Sequence, residues 1–214
     1  ILAIIDRWKN KKLKPKRDRF FIWGHYYDPH DPYFEVEQFP AKDQSPAERY
    51  LSIVRSVDQE LGRLFKALES RDLLKDTMII ITADHGDEFF DHGHRFHGKS
   101  LYDEMVKVPL IIYSPHYQAR EVDEVIGHID VAPTVLAHLG LGAESRFMGT
   151  SHDHSLREGK ALTSDEAFFE VLPDQNYNHH MVGLRMGDEK LIYHLNRGAI
   201  EHYKLSEDPK ERVN

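Results

Sequence analysis

Apolar and polar positions follow three different rhythms along this chain. Between residues 45 and 68, Tyr50, Val54, Val57, Leu61, Leu64 and Leu68 recur at steps of three and four, and Phe65 widens the same stripe. That period predicts one amphipathic helix of about seven turns. Its start is written in Ser45-Pro46-Ala47-Glu48, with a hydroxyl at the cap, proline in the first turn and glutamate at the capping-box position. The second rhythm is dense. Thr77 to Thr82 is too apolar to alternate and reads as a strand buried on both faces, Phe20 to Gly24 reads as another buried strand, and Val106 to Tyr113 as another apolar strand. Pro109 removes a ladder donor from the last and predicts an edge or a bulge there. The third rhythm is short runs at 167–172, 180–186, 190–195 and 200–205. Gly187-Asp188 and Asn196-Arg197-Gly198 supply their hairpin loops.

Smaller elements complete the pattern. Residues 1 to 10 read as the end of an amphipathic helix with Trp8 on its apolar side, and residues 31 to 44 as a proline-containing loop. Ser100 to Met105 predicts a helical turn. Asp130 to Gly140 predicts a short helix, with Asp130 as N-cap and Gly140 past the end. Residues 141 to 163 read as a linker. A helix followed by a buried strand is the rhythm of a parallel sheet. The fold class predicted is α/β, an αβα sandwich with a mainly parallel sheet over residues 1–145. A small antiparallel β subdomain follows over 146–214.

Charge narrows the partners. With 28 Lys and Arg against 36 Asp and Glu, the net charge is -8, which argues against a nucleic-acid or anionic-membrane surface. The basic run from Lys9 to Arg19 is the local exception and reads as a solvated connection. There is no cysteine, so disulfides are excluded, but the compartment stays open. No signal peptide or membrane span is visible. The chain starts without Met, inside a helix, and the expectation is a piece whose natural N-terminus lies elsewhere.

The chemistry concentrates where the strand at 77–82 stops, in Ala83-Asp84-His85-Gly86. Ligands of open α/β sheets bind just outside the carboxyl ends of strands. A carboxylate beside an imidazole suits a divalent metal there, and Gly86 gives freedom to turn with either sign of φ. The loop that follows brings His92, His94 and His97 close in sequence to Asp87, Glu88, Asp91 and Lys99. The run Phe20 to Gly24 also leads into a histidine-bearing loop, with His25 and His30. His128 and His138 read as structural.

Three blocks together resemble the sulfatase family of the alkaline-phosphatase superfamily. They are Ala83-Asp84-His85-Gly86-Asp87-Glu88, then His97-Gly98-Lys99-Ser100-Leu101-Tyr102-Asp103-Glu104, then Val108-Pro109-Leu110-Ile111-Ile112. His30-Asp31-Pro32-Tyr33 is similar to the family's His-x-Pro-Tyr turn, and Asp130-Val131-Ala132-Pro133-Thr134 to its Asp-x-x-Pro-Thr helix. The ending from Tyr203 to Asn214 resembles its Tyr-x-Leu-x-x-Asp-Pro-x-Glu-x-x-Asn signature.

The resemblance implies a metal-dependent sulfuric ester hydrolase. Asp84 and His85 match metal ligands, Lys99 the sulfate-contacting lysine, and His30 a histidine near the leaving group. His97 and His92 are candidate anion or second-metal contacts. Calcium is the metal implied for a sulfatase. Many family members carry Asn at the position of His85, and Asp-His is common in manganese- or zinc-using phosphodiesterases and phosphotransferases of the superfamily. The first acidic metal pair is not in this chain. Nor is the Cys/Ser-x-Pro-x-Arg motif that matures to formylglycine, which is therefore expected upstream. The chain matches the second half of the family's catalytic domain and is expected to be inactive alone, with the upstream half as its partner. The implied substrate is a sulfate ester or a sulfated glycan. A phosphodiesterase or phosphonate monoester hydrolase is the alternative enzyme, and a non-catalytic binding or scaffold domain the third reading.

Overall fold

The computed structural model describes residues 1–10, 19–142, 146–173 and 177–214. Most of the basic run between Lys9 and Arg19 lies outside the described residues. The chain forms two compact units, Ile1–Thr77 and Met78–Asn214.

In the first unit, helix α1 (Leu2–Lys9) is tied to the end of helix α2 (Pro46–Glu69). Arg71 forks onto the Asp6 carboxylate with bonds of 2.7 and 2.9 Å, and Lys9 Nζ donates to the Arg71 carbonyl at 2.6 Å. Trp8 meets Phe20 edge to face at 4.9 Å. The expected start of α2 is confirmed. Ser45 Oγ accepts from the Glu48 N–H at 3.3 Å. Only half of the capping box forms, because Glu48 takes the Lys42 N–H while Asp43 takes the Ser45 N–H. Ser52 and Tyr33 fasten the preceding loop, through a bond from Val36 N–H to Ser52 Oγ and an edge-on contact between Tyr33 and Tyr50. The α2 stripe ends in buried Leu68, while Val54, Val57, Leu61 and Leu64 are half-buried.

Phe20 to Gly24 is a correction. It forms no strand, and Phe21 and Trp23 are 83% and 80% exposed. Apolar composition can propose a strand, but only a ladder partner makes one, and no partner is found among the described residues.

In the second unit, β1 (Ile79–Thr82) pairs antiparallel with β4 (Leu110–Tyr113), placing Ile80 opposite Ile112. Pro109 sits just before β4, where no ladder donor is needed. The three isoleucines of β1 are half-buried rather than enclosed on both faces. Every ladder among the described residues is antiparallel, so the mainly parallel sheet is not among these pairings. Between β1 and β4 lie a two-residue hairpin that the pattern gave no sign of, β2 (Glu88–Phe89) with β3 (Arg95–Phe96), and the helical turn α3 (Asp103–Val106).

A 3₁₀ turn at His128–Asp130 leads into α4 (Val131–His138). Asp130 does not cap α4. Its carboxylate accepts instead from Gly127 N–H at 3.1 Å and Thr150 N–H at 2.7 Å, because the 3₁₀ turn has already engaged the start of the helix. Gly140 follows α4 at φ +69°, as expected of a helix end. The segment read as a linker contains α5 (Asp153–Glu158), closed by Gly159 at φ +65°.

The antiparallel sheet is as the alternation predicted. Strands β5 (Glu166–Val171), β6 (Met181–Met186), β7 (Glu189–His194) and β8 (Ala199–Lys204) pair in sequence order. One face packs Met181, Ile192, Tyr203 and Leu205 around Leu101. Gly183 has a specific reason. A Cβ there would lie 2.0 Å from the ring of Phe169, its cross-strand partner, so the missing side chain makes room for the aromatic. Lys190 is fully buried on that inward face and pairs with Glu211 at 2.6 Å and Asp103 at 2.8 Å.

Candidate active site

The site grows from the end of β1. Asp84 and His85 follow the strand, and Gly86 follows them. Gly86 is not in the left-handed region. Its need for glycine is spatial, since a Cβ would lie 1.9 Å from the Glu104 carbonyl oxygen. Gly86 N–H donates to the Met105 carbonyl at 2.8 Å. The turn that presents Asp84 and His85 is thus pressed backbone to backbone onto α3.

The loop then folds back through β2 and β3. His97 returns beside His85, with ring centroids 4.2 Å apart and planes 29° apart. His97 Nδ1 is 2.9 Å from Asp87 Oδ1. One ligand atom each from His85, Asp87 and His97 lies within 4.8 Å of the others. Two imidazoles and a carboxylate at that spacing suit a divalent cation of borderline softness. His85 Nδ1 is 2.9 Å from the Gly86 carbonyl, which orients the ring. Asp84 is more exposed, with Oδ2 3.8 Å from His85 Nε2. The cluster therefore joins His85 to His97, a candidate second-metal or anion contact, and to Asp87, which carried no metal reading. Residue spacing gave no warning, because the β2–β3 hairpin is what brings residue 97 back to residue 85.

Lys99 donates from Nζ to the Arg95 carbonyl at 2.9 Å and lies over the Tyr177 ring at 4.8 Å. His92 is turned inward. Its ring stacks on Tyr102 at 3.6 Å, and Nε2 lies 3.0 and 3.1 Å from the carbonyls of Lys210 and Glu211. Nδ1 is 3.2 Å from Glu104 Oε1. His94 is exposed. His30 belongs to the first compact unit, where its ring stacks on Tyr27 at 4.7 Å and Nδ1 is 2.6 Å from the Asp31 carbonyl.

His128 and His138 sit as structural residues would. His128 Nε2 is 3.0 Å from Thr82 Oγ1. His138 Nδ1 is 2.8 Å from Asp153 Oδ1, and Nε2 is 3.2 Å from Ser114 Oγ. That is the order of a Ser-His-Asp triad, but Ser114 and Asp153 are buried, the His138 side chain is only 9% exposed, and Arg157 and Tyr117 also bind Asp153. Burial pushes the Asp153 carboxyl up, yet the bonds from Arg157, Tyr117 and His138 outweigh it and hold it below the usual range.

The ending signature has a geometric account. Tyr203 donates to Glu201, Leu205 joins the core, Asp208 accepts from Arg212 and Val213 N–H, and Asn214 accepts from His202 N–H. Glu211 is buried beside Lys190 and takes the Asp103 N–H at 2.6 Å. Burial pushes its carboxyl up, against the pull of Lys190.

Comparison with known proteins shows the family of the chain. The family model described as Sulfatase matches residues 3–141, and that described as N-sulphoglucosamine sulphohydrolase, C-terminal, matches residues 90–214. An arylsulfatase of Clostridium perfringens is 26% identical over 170 residues, covering 77% of this chain and 34% of that protein. An N-acetylglucosamine-6-O-sulfatase of Bacteroides thetaiotaomicron is 32% identical over 174 residues, covering 77% and 31%. A protein solved in complex with its substrate D-glucosamine-2-N,6-O-disulfate superposes with a TM-score of 0.67 at 30% identity, over 79% of this chain and 36% of that one. A phosphonate monoester hydrolase from Silicibacter pomeroyi shares the fold, with a TM-score of 0.68 at 23% identity over 78% and 36%. The chain spans about a third of the length of the curated relatives it matches. It belongs to the sulfatase family, within the alkaline-phosphatase superfamily.

Proposed function

We propose that this chain supplies half of the active site of a metal-dependent sulfuric ester hydrolase acting on a sulfated sugar. The observation that carries the reading is the joining of His85, Asp87 and His97 in the loop that also holds Lys99. Asp84 and His85 serve as metal ligands, and Asp87 and His97 close the same cluster. A bound divalent cation would neutralise ester oxygens and lower the barrier to attack on sulfur. Lys99 binds the sulfate and stabilises charge on the departing oxygen. His97 adds an anion contact, His30 gives a proton to the leaving alkoxide, and His92 holds the loop in place. The nucleophile, a formylglycine, and the first acidic pair come from the upstream half. The same half completes a parallel αβα sheet around β1 and covers the exposed run at Phe20 to Gly24. In functional terms the division lies at 145/146, between the second half of the core and the appended β sheet.

The donor set favours manganese or zinc over calcium, because imidazole is a poor calcium ligand. The likeness in fold to a phosphonate monoester hydrolase keeps that reaction as the second reading. The test is turnover by the whole protein of an activated aryl sulfate and an activated phosphonate monoester, each with calcium, manganese and zinc. Sulfate ester preference, with Asp84→Asn lowering metal content and turnover together, is the expected result. Phosphonate preference would overturn the sulfatase assignment. Unchanged metal content in both Asp84→Ala and His85→Ala would overturn the metal site.

A further inference from the structure

Lys99 forms one side of a cavity of about 280 Å³ whose other walls the chemistry above does not use. It is close to the lower end for small-ligand sites, about 300–1,000 Å³, so it takes one ring-sized group rather than a length of polymer. Its floor is apolar, made by Leu101, Met181 and Ile192. Its wall is cationic and imidazole-rich. Lys99 stands on one side, Arg197 of the β7–β8 turn contributes from the sheet, and His94 and His179 are exposed at the edge.

Arg197 is not merely a surface charge. Its guanidinium donates to His194 Nδ1 at 2.7 Å, and His194 Nε2 lies 2.5 Å from Glu201 Oε1. These two contacts fix the imidazole. The carboxylate must accept from Nε2–H, so Nδ1 carries the lone pair that receives Arg197. Glu201 is held in turn by the hydroxyls of Tyr102 and Tyr203, each at 2.9 Å. The His194 side chain is only 9% exposed. A buried relay thus fixes the guanidinium on the cavity wall. A guanidinium has five N–H donors in a fixed fork, so one bond to His194 leaves others for an anion.

We propose that this cavity is a second anion subsite, in which Arg197 reads a carboxylate or a second sulfate on the sugar whose scissile sulfate is held by Lys99. The inference rests on the sulfatase reading and deepens it to a substrate class, sugars carrying two anionic groups. The apolar floor takes the ring face, and the acidic Glu201 is masked by its three partners, so it does not repel the ligand.

The test is calorimetric binding to the 214-residue chain. The probes are D-glucosamine-6-O-sulfate, D-glucosamine-2-N,6-O-disulfate, and a 6-O-sulfated disaccharide bearing a uronic acid. The wild-type chain should prefer one of the doubly anionic sugars by about tenfold, the size of one charge-assisted bond to a partly exposed group. The preferred sugar identifies which anion is read. Arg197→Gln should bring that ratio near one, and Arg197→Lys should recover only part of it, because the ammonium lacks the fork. Circular dichroism verifies that both variants fold. Equal affinity of the wild-type chain for singly and doubly anionic sugars overturns the subsite while leaving the sulfatase reading intact. Absence of binding by all three also overturns it, and aryl sulfate turnover by the whole protein then decides the parent reading separately.

Discussion

Substituting Gly86 by alanine tests the backbone contact that positions the candidate metal ligands. The added Cβ would sit 1.9 Å from the Glu104 carbonyl oxygen and 3.0 Å from its carbon. Since contacts under 3.0 Å are essentially never made by a real Cβ, the turn and α3 must part by at least about 1 Å. Both partners are backbone, so no side chain can swing aside. Overpacking of this kind costs about 1–3 kcal/mol. The separation also stretches the 2.8 Å bond from Gly86 N–H to Met105, worth about 0.5–1.5 kcal/mol. Together these give roughly 2–4 kcal/mol, or a fall in Tm of about 5–12 °C for a chain of this size. Gly62 is the control. It lies within α2 with nothing near its Cβ position, so Gly62→Ala should stabilise by up to about 1 kcal/mol through helix propensity alone. Thermal unfolding of the wild-type chain and both variants reads the contrast, and zinc or manganese titration reads the displacement of His85. A Gly86→Ala chain melting within about 1 °C of wild type would mean that the turn does not rest on α3 as described.

Lys190→Ala strands the buried Glu211 carboxylate, while Asp103 keeps Arg185 at 3.5 Å, and should cost about 3–5 kcal/mol, with Glu211→Gln in the same chain recovering part of the loss; denaturant unfolding measures both, and a loss under about 1 kcal/mol would argue against a buried pair. The depressed Asp153 carboxyl contributes stability that is complete above its unfolded value of about 3.9 and lost as pH falls through its folded value. Tm should therefore drop more steeply below about pH 4 in the wild type than in Asp153→Asn, and parallel curves for the two would refute this.

Local rules made much of the molecule legible. The Ser45-Pro46 start of α2, the αL glycine after α4 and the four strands of the C-terminal sheet depend on neighbours in sequence or on two-residue turns, and these elements were found as expected. What depended on distant partners was not readable. The composition of Phe20 to Gly24 fits a strand, but composition does not supply the ladder. Asp130 was read as a cap because its residue type caps helices, while its carboxylate bonds Gly127 and Thr150 in space. At the site, the Asp84-His85 pair was visible as a motif. The role of Gly86 was misread as a question of φ when it is one of room, and the meeting of Asp87 and His97 with His85 required a hairpin too short to leave a period.

The C-terminal residues also have a mechanical consequence. Glu211 is wedged among Lys190, Asp103 and the carbonyl contacts of His92, so the last residues bolt the histidine-bearing loop to the sheet. Local opening in a folded protein proceeds in cooperative units. Amides of the β2–β3 loop should therefore exchange with solvent together with those of the tail rather than with β1. Clipping the chain after Asp208 would raise the exchange rate of a loop more than a hundred positions earlier in sequence, and a distant proteolytic cut would then be felt at the cluster of His85, Asp87 and His97 as slack.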